Sequence, residues 1–371
     1  MSPVDGDPAI DGARAAAYTV PTDRHSADGT LAWDSTTIVV VRATGGGREG
    51  IGWTYGPPAC AGIVRDQLAG VVAGRAVLDV PATLEAMVRS VRNAGRPGAV
   101  GYAISAVETA LWDLKARLLG LPLHRLLGAM RDEVPLYGSG GLTSYGDDEL
   151  RRQLRGWVHE EGFTRVKIKV GESWGTRERR DLHRVELARD AVGDDAELFV
   201  DANGAYTAKQ AIRVGRGLDA AGVRWLEEPV SSDDLSGLRQ VREGVAMDVT
   251  AGEYGCTVDY FEDMCAAEAV DCLQIDATRC GGVLEFLRAC AVAAAHGLDN
   301  SAHCAPYLHR HVAAAAPRLR HVEWFHDHVR IERMFFDGAD APREGMLPLD
   351  AQRPGHGVEL READVEPYRV A

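Results

Sequence analysis

Residues 197–227 read "ELFVDANGAYTAKQAIRVGRGLDAAGVRWLE", and this stretch decides the fold. A short apolar run, residues 198–200, stops at Asp201, and Asn203 with Gly204 marks a turn. Residues 207–222 then carry a helical pattern, and a second apolar run, residues 223–226, stops at Glu227. Strand, loop, helix and strand within roughly 25–30 residues is the size of one β/α unit. The same rhythm extends in both directions. Strand-like runs occur at "VPLYGS", "RVKIKV", "ELFVDAN", "VRWLEEP", "DVTAGEY", "DCLQID", "GLDNSAH" and "HVEWF", with helical stretches such as "GVLEFLRACAVAAAHG" between them. Strands alternating with helices in this way predict an α/β chain whose strands close into a (β/α) barrel. A doubly wound open sheet has the same alternation, but its Gly-rich phosphate fingerprint is missing.

The first third reads differently. "STTIVVVRA", the turn "TGGGREG" and "IGWTYG" predict an antiparallel hairpin from about residue 35. Helical patterns follow at 61–73, 81–92 and 100–119, the last ended by Gly120 and Pro122. The expected organisation is an α+β capping domain over 1–128, the barrel over 129–345, and a tail over 346–371.

The 371 residues carry a net charge of −14, which argues against nucleic acid or an anionic membrane as partner. It does not exclude an anionic small molecule, because a site can be locally positive. Seven cysteines without a C-x-x-C pair predict reduced thiols and a cytoplasmic setting. The acidic start "MSPVDGDPAIDG" lacks signal-peptide features, and the most apolar run, "ACAVAAAHGL", is too short to cross a bilayer.

Catalytic groups of a barrel gather where its strands end. The strand ends here give Lys167 and Lys169, Asp201 and Asn203, Glu227, Glu253, Asp276, His303 and Glu323. Asp201, Glu227 and Glu253 are spaced 26 residues apart, one unit each, so three acids are expected to converge on the mouth. Such acids repel unless a cation sits between them, and hard oxygen ligands suit Mg²⁺ better than Zn²⁺. Taken singly, each residue has a plainer reading: Lys-x-Lys as a solvated strand face, Asp201 to Gly204 as a helix cap, a lone His as structural.

Taken together, the segments resemble the enolase superfamily, in its mandelate racemase branch. "AISAVETALWDLKARLLGLPLHRLLG" is similar to the end of that family's capping domain. "VKIKVG" resembles its K-x-K strand, and "VDANGAY", "WLEEPV" and "TAGEYG" resemble its three metal-ligand strands. "LQIDATRCGGV" and "SAHC" resemble its Asp–His dyad, and "HVEWF" its acidic eighth strand. The resemblance covers nearly the whole chain. It implies a (β/α)7β modified TIM barrel capped by the N-terminal region and the C-terminal tail. It implies Mg²⁺ bound by Asp201, Glu227 and Glu253, with Asn203 nearby. Lys169 is then a base on one face of the substrate, with Lys167 holding it and lying closer to the substrate carboxylate. His303, oriented by Asp276, is the acid/base on the other face, and Glu323 gives a proton or hydrogen bond to the developing enolate. A symmetric homo-oligomer is also implied.

The chemistry fits those residue types. Removing a proton α to a carboxylate adds charge beside charge, which a divalent ion and hydrogen-bond donors stabilise. The base must be neutral, and a lysine beside a second ammonium and a metal is expected to have a lowered pKa. Two flanking bases allow dehydration of a sugar acid to a 2-keto-3-deoxy acid, the favoured expectation, or racemisation of a 2-hydroxy acid. A catalytically silent scaffold is the third reading. Dipeptide epimerases and muconate-type cycloisomerases place a lysine on the sixth strand, where this chain has Asp276. Specificity is expected from irregular lid loops, "YTVPTDRHSADGTLAW" at 18–33 and "IGWTYGPP", with Arg24, His25, Trp53 and Tyr55 reaching the substrate. The other histidines and Cys304 are expected to pack, with "HDHVRIE" after the eighth strand near enough to reach the mouth.

Overall fold

The computed structural model describes residues 7–371; the start Met1–Gly6, part of the segment read above as lacking signal-peptide features, lies outside the described residues. Eight parallel strands form the barrel: β4 (Glu133–Gly140), β5 (Arg165–Lys169), β6 (Glu197–Asp201), β7 (Val223–Glu227), β8 (Asp248–Ala251), β9 (Cys272–Ile275), β10 (Asp299–Ala302) and β11 (Leu319–Phe325). They pair in sequence order, and β11 closes the ring on β4 with Val322 opposite Leu136 and Phe325 opposite Ser139. All eight runs read from the sequence are these strands.

Pleating assigns the two faces. Val166, Ile168, Leu198, Val200 and Leu226 belong to the large core between strands and helices. Lys167, Phe199 and Trp225, on the alternate positions, turn into the barrel. Tyr137, Phe199 and Trp225 pack there as an aromatic plug, with ring centroids 5.5 Å and 5.4 Å apart, and His321 sits 4.7 Å from the Tyr137 ring. This plug is the floor of the mouth, and Lys167 Nζ lies 5.2 Å over the Tyr137 ring.

Before the barrel come β1 (Ile10–Ala27), β2 (Ala32–Gly45) and β3 (Arg48–Tyr55), one antiparallel sheet. Two expectations are corrected here. Residues 18–33 are not an irregular loop: β1 and β2 run as a ribbon nearly to their turn, with a bulge between Pro21 and Ser26. Nor is "IGWTY" a loop: it lies in β3, the second strand of the antiparallel hairpin expected from about residue 35, which β2 and β3 form. The outer ribbon projects beyond the core with both faces largely open, so its backbone pairing needs no apolar alternation and left none to read.

The helix Ala99–Leu119 packs on this sheet and ends, as the sequence indicates, at a left-handed Gly120. The approach is close enough that a Cβ on Gly52 would stand 2.3 Å from Thr109 Oγ1 and 2.4 Å from the Ala106 carbonyl. The helix grips the barrel through Glu108, which accepts from the Val283 and Leu284 amides at 2.7 Å and 3.1 Å, at the start of helix Val283–Ala295. The final segment touches both layers. Two short strands, β12 (Phe336–Asp337) and β14 (Glu359–Leu360), pair with each other, while β13 (Met346–Pro348) pairs antiparallel with β4 of the barrel. The Val370 amide bonds the Ala17 carbonyl at 2.8 Å, and Asp113 accepts from the His356 and Ile51 amides. Among the described residues no helix is long and apolar enough to cross a membrane.

Candidate active site

A cavity of about 390 Å³ opens where the barrel strands end, beneath β2 and β3. Lys169, Asn203, Glu253, Arg279, His303, Cys304, Glu323 and His328 line its barrel side, and Asp28, Leu31, Trp33, Ser35, Thr36, Thr37 and Tyr55 its capping side. A roomier hollow of about 710 Å³ lies at the opposite barrel face, where β6 to β8 begin, but it gathers no paired acid and base.

Both lysines face inward, which resolves why two ammonium groups sit on a buried strand. Lys167 is 0% exposed; its Nζ lies 2.6 Å from Glu227 Oε1, 2.8 Å from Glu323 Oε1 and 3.7 Å from Asp201. Lys169 Nζ pairs with Asp201. Lys167 alone does not bring about the lowered Lys169 pKa expected beside a second ammonium and a metal. Burial works most strongly against the Lys169 charge, as does the Lys167 ammonium, but Asp201, Glu227 and Glu323 together more than offset them, and the pKa stands above the ordinary lysine value. Lys167 is likewise held high by Glu227 and Glu323 against its burial. It lies below the cavity wall, so it braces carboxylates instead of facing a substrate.

The acids are correspondingly divided. Asp201 is taken by Lys169, Glu227 by Lys167 and by Trp225 Nε1 at 3.0 Å, and Glu253 by Arg279 Nη1 at 3.0 Å. Among the described residues, the group of three acids, histidines or cysteines with all ligand atoms within 4.8 Å is His303, Cys304 and Glu323, not Asp201, Glu227 and Glu253. The surroundings nevertheless suit a hard cation. Glu228, not counted among the expected ligands, is 2% exposed, and its Oε1 and the Asn203 Oδ1 are buried without a hydrogen-bond partner. Burial, then the Glu253, Asp201 and Glu227 charges, holds the Glu228 carboxyl well above the usual range, and burial raises Glu227 to about 7 despite Lys167. An excess of buried oxygen donors with unused lone pairs is what Mg²⁺ fits.

His303 is anchored. Its Nδ1 lies 2.8 Å from Asp276 Oδ2, whose other oxygen accepts from Thr278 N and Oγ1, both at 2.7 Å. The Nε2 faces Glu253 Oε2 at 3.3 Å, Cys304 Sγ at 3.3 Å and Glu323 Oε2 at 3.6 Å. Burial disfavours the His303 charge, but Glu253, the Asp276 hydrogen bond and Glu323 together more than offset it, and the pKa is raised. Glu323 accepts from Ser139 Oγ at 2.6 Å and Cys304 N at 3.2 Å. Burial works to raise its pKa, yet Lys167, His303 and Lys169 together hold it well below the carboxylate range, and it accepts hydrogen bonds from its neighbours. Lys169 on β5 and His303 on β10 are three strands apart through β4 and β11, on different flanks of the mouth.

Backbone strain gathers at these strand ends. Asn203, Glu228, Cys304 and Ala305 have φ of 46°, 39°, 53° and 37°. Non-glycine residues there cost on the order of 1–2 kcal/mol each.

Tyr55 lines the cavity, stacked on His328 with centroids 3.4 Å apart. The other distal residues read from the sequence do not. Arg24 pairs with Glu149 and lies over the Tyr145 ring, and His25 is largely exposed against Asp34. Trp53 is fully buried with Nε1 bonded to Glu332 at 2.8 Å. All three sit on strands whose register turns them to a neighbour before they can reach the mouth. "HDHVRIE" opens the helix His326–Phe335, which brings His328 to the cavity and Asp327 to within 2.5 Å of Thr36 Oγ1.

Comparison with known proteins agrees with this geometry. The family model described as "Mandelate racemase / muconate lactonizing enzyme, N-terminal domain" matches residues 16–128, and "Enolase C-terminal domain-like" matches residues 149–364. The chain is 34% identical over 285 residues to L-talarate/galactarate dehydratase of Salmonella typhimurium, covering 75% of this chain and 71% of that one. A mandelate racemase/muconate lactonizing enzyme-like protein from Rubrobacter xylanophilus superposes with a TM-score of 0.94 at 47% identity, over 98% of this chain and 100% of that one. A racemase from Streptomyces coelicolor with bound magnesium gives 0.91 at 29% identity, over 97% and 100%. Fold, strand-end chemistry and sequence agree: the chain is an enzyme of the enolase superfamily, in the mandelate racemase/muconate lactonizing enzyme family.

Proposed function

We propose that this enzyme removes the proton α to the carboxylate of a polyhydroxylated acid and expels the β-hydroxyl, leaving a 2-keto-3-deoxy acid. The observation that carries it is the placing of Lys169 and an Asp276-anchored His303 on different flanks of one cavity. Asp201, Glu227 and Glu253, with Asn203 nearby, would hold Mg²⁺, which supplies charge stabilisation for the substrate carboxylate. Lys169, released from Asp201, takes the α-proton as the Cα–H bond breaks. His303 Nε2 gives its proton to the β-oxygen as the Cβ–O bond breaks, and water leaves. Asp276 fixes the imidazole so that Nε2 faces the cavity. Glu323 lines the same cavity, fixed in place by the Ser139 hydroxyl and the Cys304 amide. Asp28, Ser35 and Thr37 on the capping wall supply polar groups that suit a polyhydroxylated acid.

The likeness to a racemase favours a second reading, in which His303 returns a proton to the opposite face of the same carbon. Incubation in D₂O with Mg²⁺ and a panel of mono- and diacid sugars separates the two. Loss of water supports dehydration, mass gain without water loss supports racemisation, and no exchange across the panel defeats both. The seven cysteines are free and buried, which supports a reducing, cytoplasmic setting.

A further inference from the structure

We infer that His303, Cys304 and Glu323 form a separate site for a thiophilic divalent cation of the zinc class, on the wall of the active-site cavity. Strand residues normally alternate between faces, but the left-handed backbone at Cys304 leaves consecutive side chains on one cavity wall. Sγ of Cys304 stands 3.3 Å from His303 Nε2 and 3.2 Å from Glu323 Oε2, and the last two atoms are 3.6 Å apart. A tetrahedral ion with bonds of about 2.0–2.3 Å sets its ligands roughly 3.3–3.7 Å from one another. The three side chains therefore already outline one face of such a coordination shell.

The supporting contacts point the same way. Asp276 holds His303 Nδ1 at 2.8 Å, which leaves Nε2 as the ligating nitrogen. Ser139 and Lys167 occupy Oε1 of Glu323, and Oε2, which accepts from Cys304 N at 3.2 Å, keeps a second lone pair for the ion. The fourth position opens to the cavity and is left to water. A thiolate with an imidazole selects Zn²⁺ over Mg²⁺, and the all-oxygen group around Asp201 has the reverse preference. On binding, the Cys304 thiol proton passes to solvent and the sulfur ligates as thiolate. A soft ion here would also hold the nitrogen that transfers a proton in the proposed reaction, so zinc would switch the enzyme off; that consequence alone rests on the proposed function.

Cobalt reports the site without any substrate. Protein freed of metal and then saturated with Mg²⁺ is titrated with Co²⁺ and followed by absorption. A near-ultraviolet sulfur-to-cobalt charge-transfer band that Zn²⁺ displaces is expected. Cys304→Ser and Cys304→Ala, with circular dichroism to show that they fold, should lose the band and weaken Zn²⁺ binding by about tenfold to a hundredfold. No band in the unaltered protein, or an equal band in either folded variant, overturns the proposal. If the band appears while no acid in the panel is turned over, the cation site stands and the proposed reaction falls.

Discussion

Two regions of this molecule bury ionisable side chains, and they handle them in opposite ways. At the barrel mouth nearly every charge faces an opposite one: Lys167 with Glu227 and Glu323, Lys169 with Asp201, Arg279 with Glu253, His303 with Asp276. In the seam between the final segment, helix Pro306–Ala315 and helix Leu123–Leu127, the buried groups are His124, His311, His356 and Arg310, a set of potential cations. His311 lies 5.6 Å from both other rings, and His124, His311, Arg310 and His356 all keep nitrogens without hydrogen-bond partners. The mouth therefore keeps its charges by mutual compensation, and the seam keeps its histidines by leaving them neutral. Compensated charge can be redistributed when a cation or an acid arrives, whereas neutral histidines beside the Arg310 charge can only lose by being charged.

Breaking the mouth should have the largest effects. Lys169→Ala should lower turnover by about a thousandfold, measured as α-deuterium exchange, and near-normal exchange in that variant would sink the assignment of the base. Lys167→Met strands Glu227 and Glu323 in the interior and should cost roughly 3–5 kcal/mol in urea unfolding. The seam should respond to acid. Burial, aided by Arg117 and Arg310 and opposed by Asp113, lowers His356 to about 4. Its neutral form belongs to the fold, so this contribution is complete above the ordinary histidine pKa. It is lost as pH falls from about 6.5 to about 4, by roughly 3 kcal/mol. His356→Phe should flatten the dependence of the urea midpoint on pH across that window; an unchanged slope would place the acid sensitivity elsewhere. Gly52→Ala should cost about 1–3 kcal/mol by driving a methyl into Ala106 and Thr109, read as a drop in melting temperature. Arg24→Ala should be the quietest, within about 0.5 kcal/mol and without change in KM, because its partners lie outside the cavity. A large rise in KM would return Arg24 to the substrate.

The barrel was legible because each unit repeats one pattern: an apolar run ending in a charged residue, then a turn and a helix. Asp201, Glu227 and Glu253 could be placed at strand ends by counting alone. What escaped depended on geometry that spacing does not carry. The β1–β2 ribbon has polar side chains on both faces and so no period to detect. Two lysines lower each other's pKa, but whether nearby carboxylates override that depends on their distances, and Asp201, paired with Lys169, is the strongest of those that do. Cys304 and Glu228 follow expected site residues, where alternation assigns them to the other face; the left-handed backbone at each overrides it. His328 reaches the cavity only because a helix starts directly after β11.

Those contorted backbone positions also matter to anyone seeking a hardier catalyst. Glycine at Ala305 should relax the chain there and make the protein more heat-tolerant by about 1 kcal/mol. The same relief at Cys304 or Glu228 removes the side chain that the bend presents, so durability and chemistry compete there within a single residue.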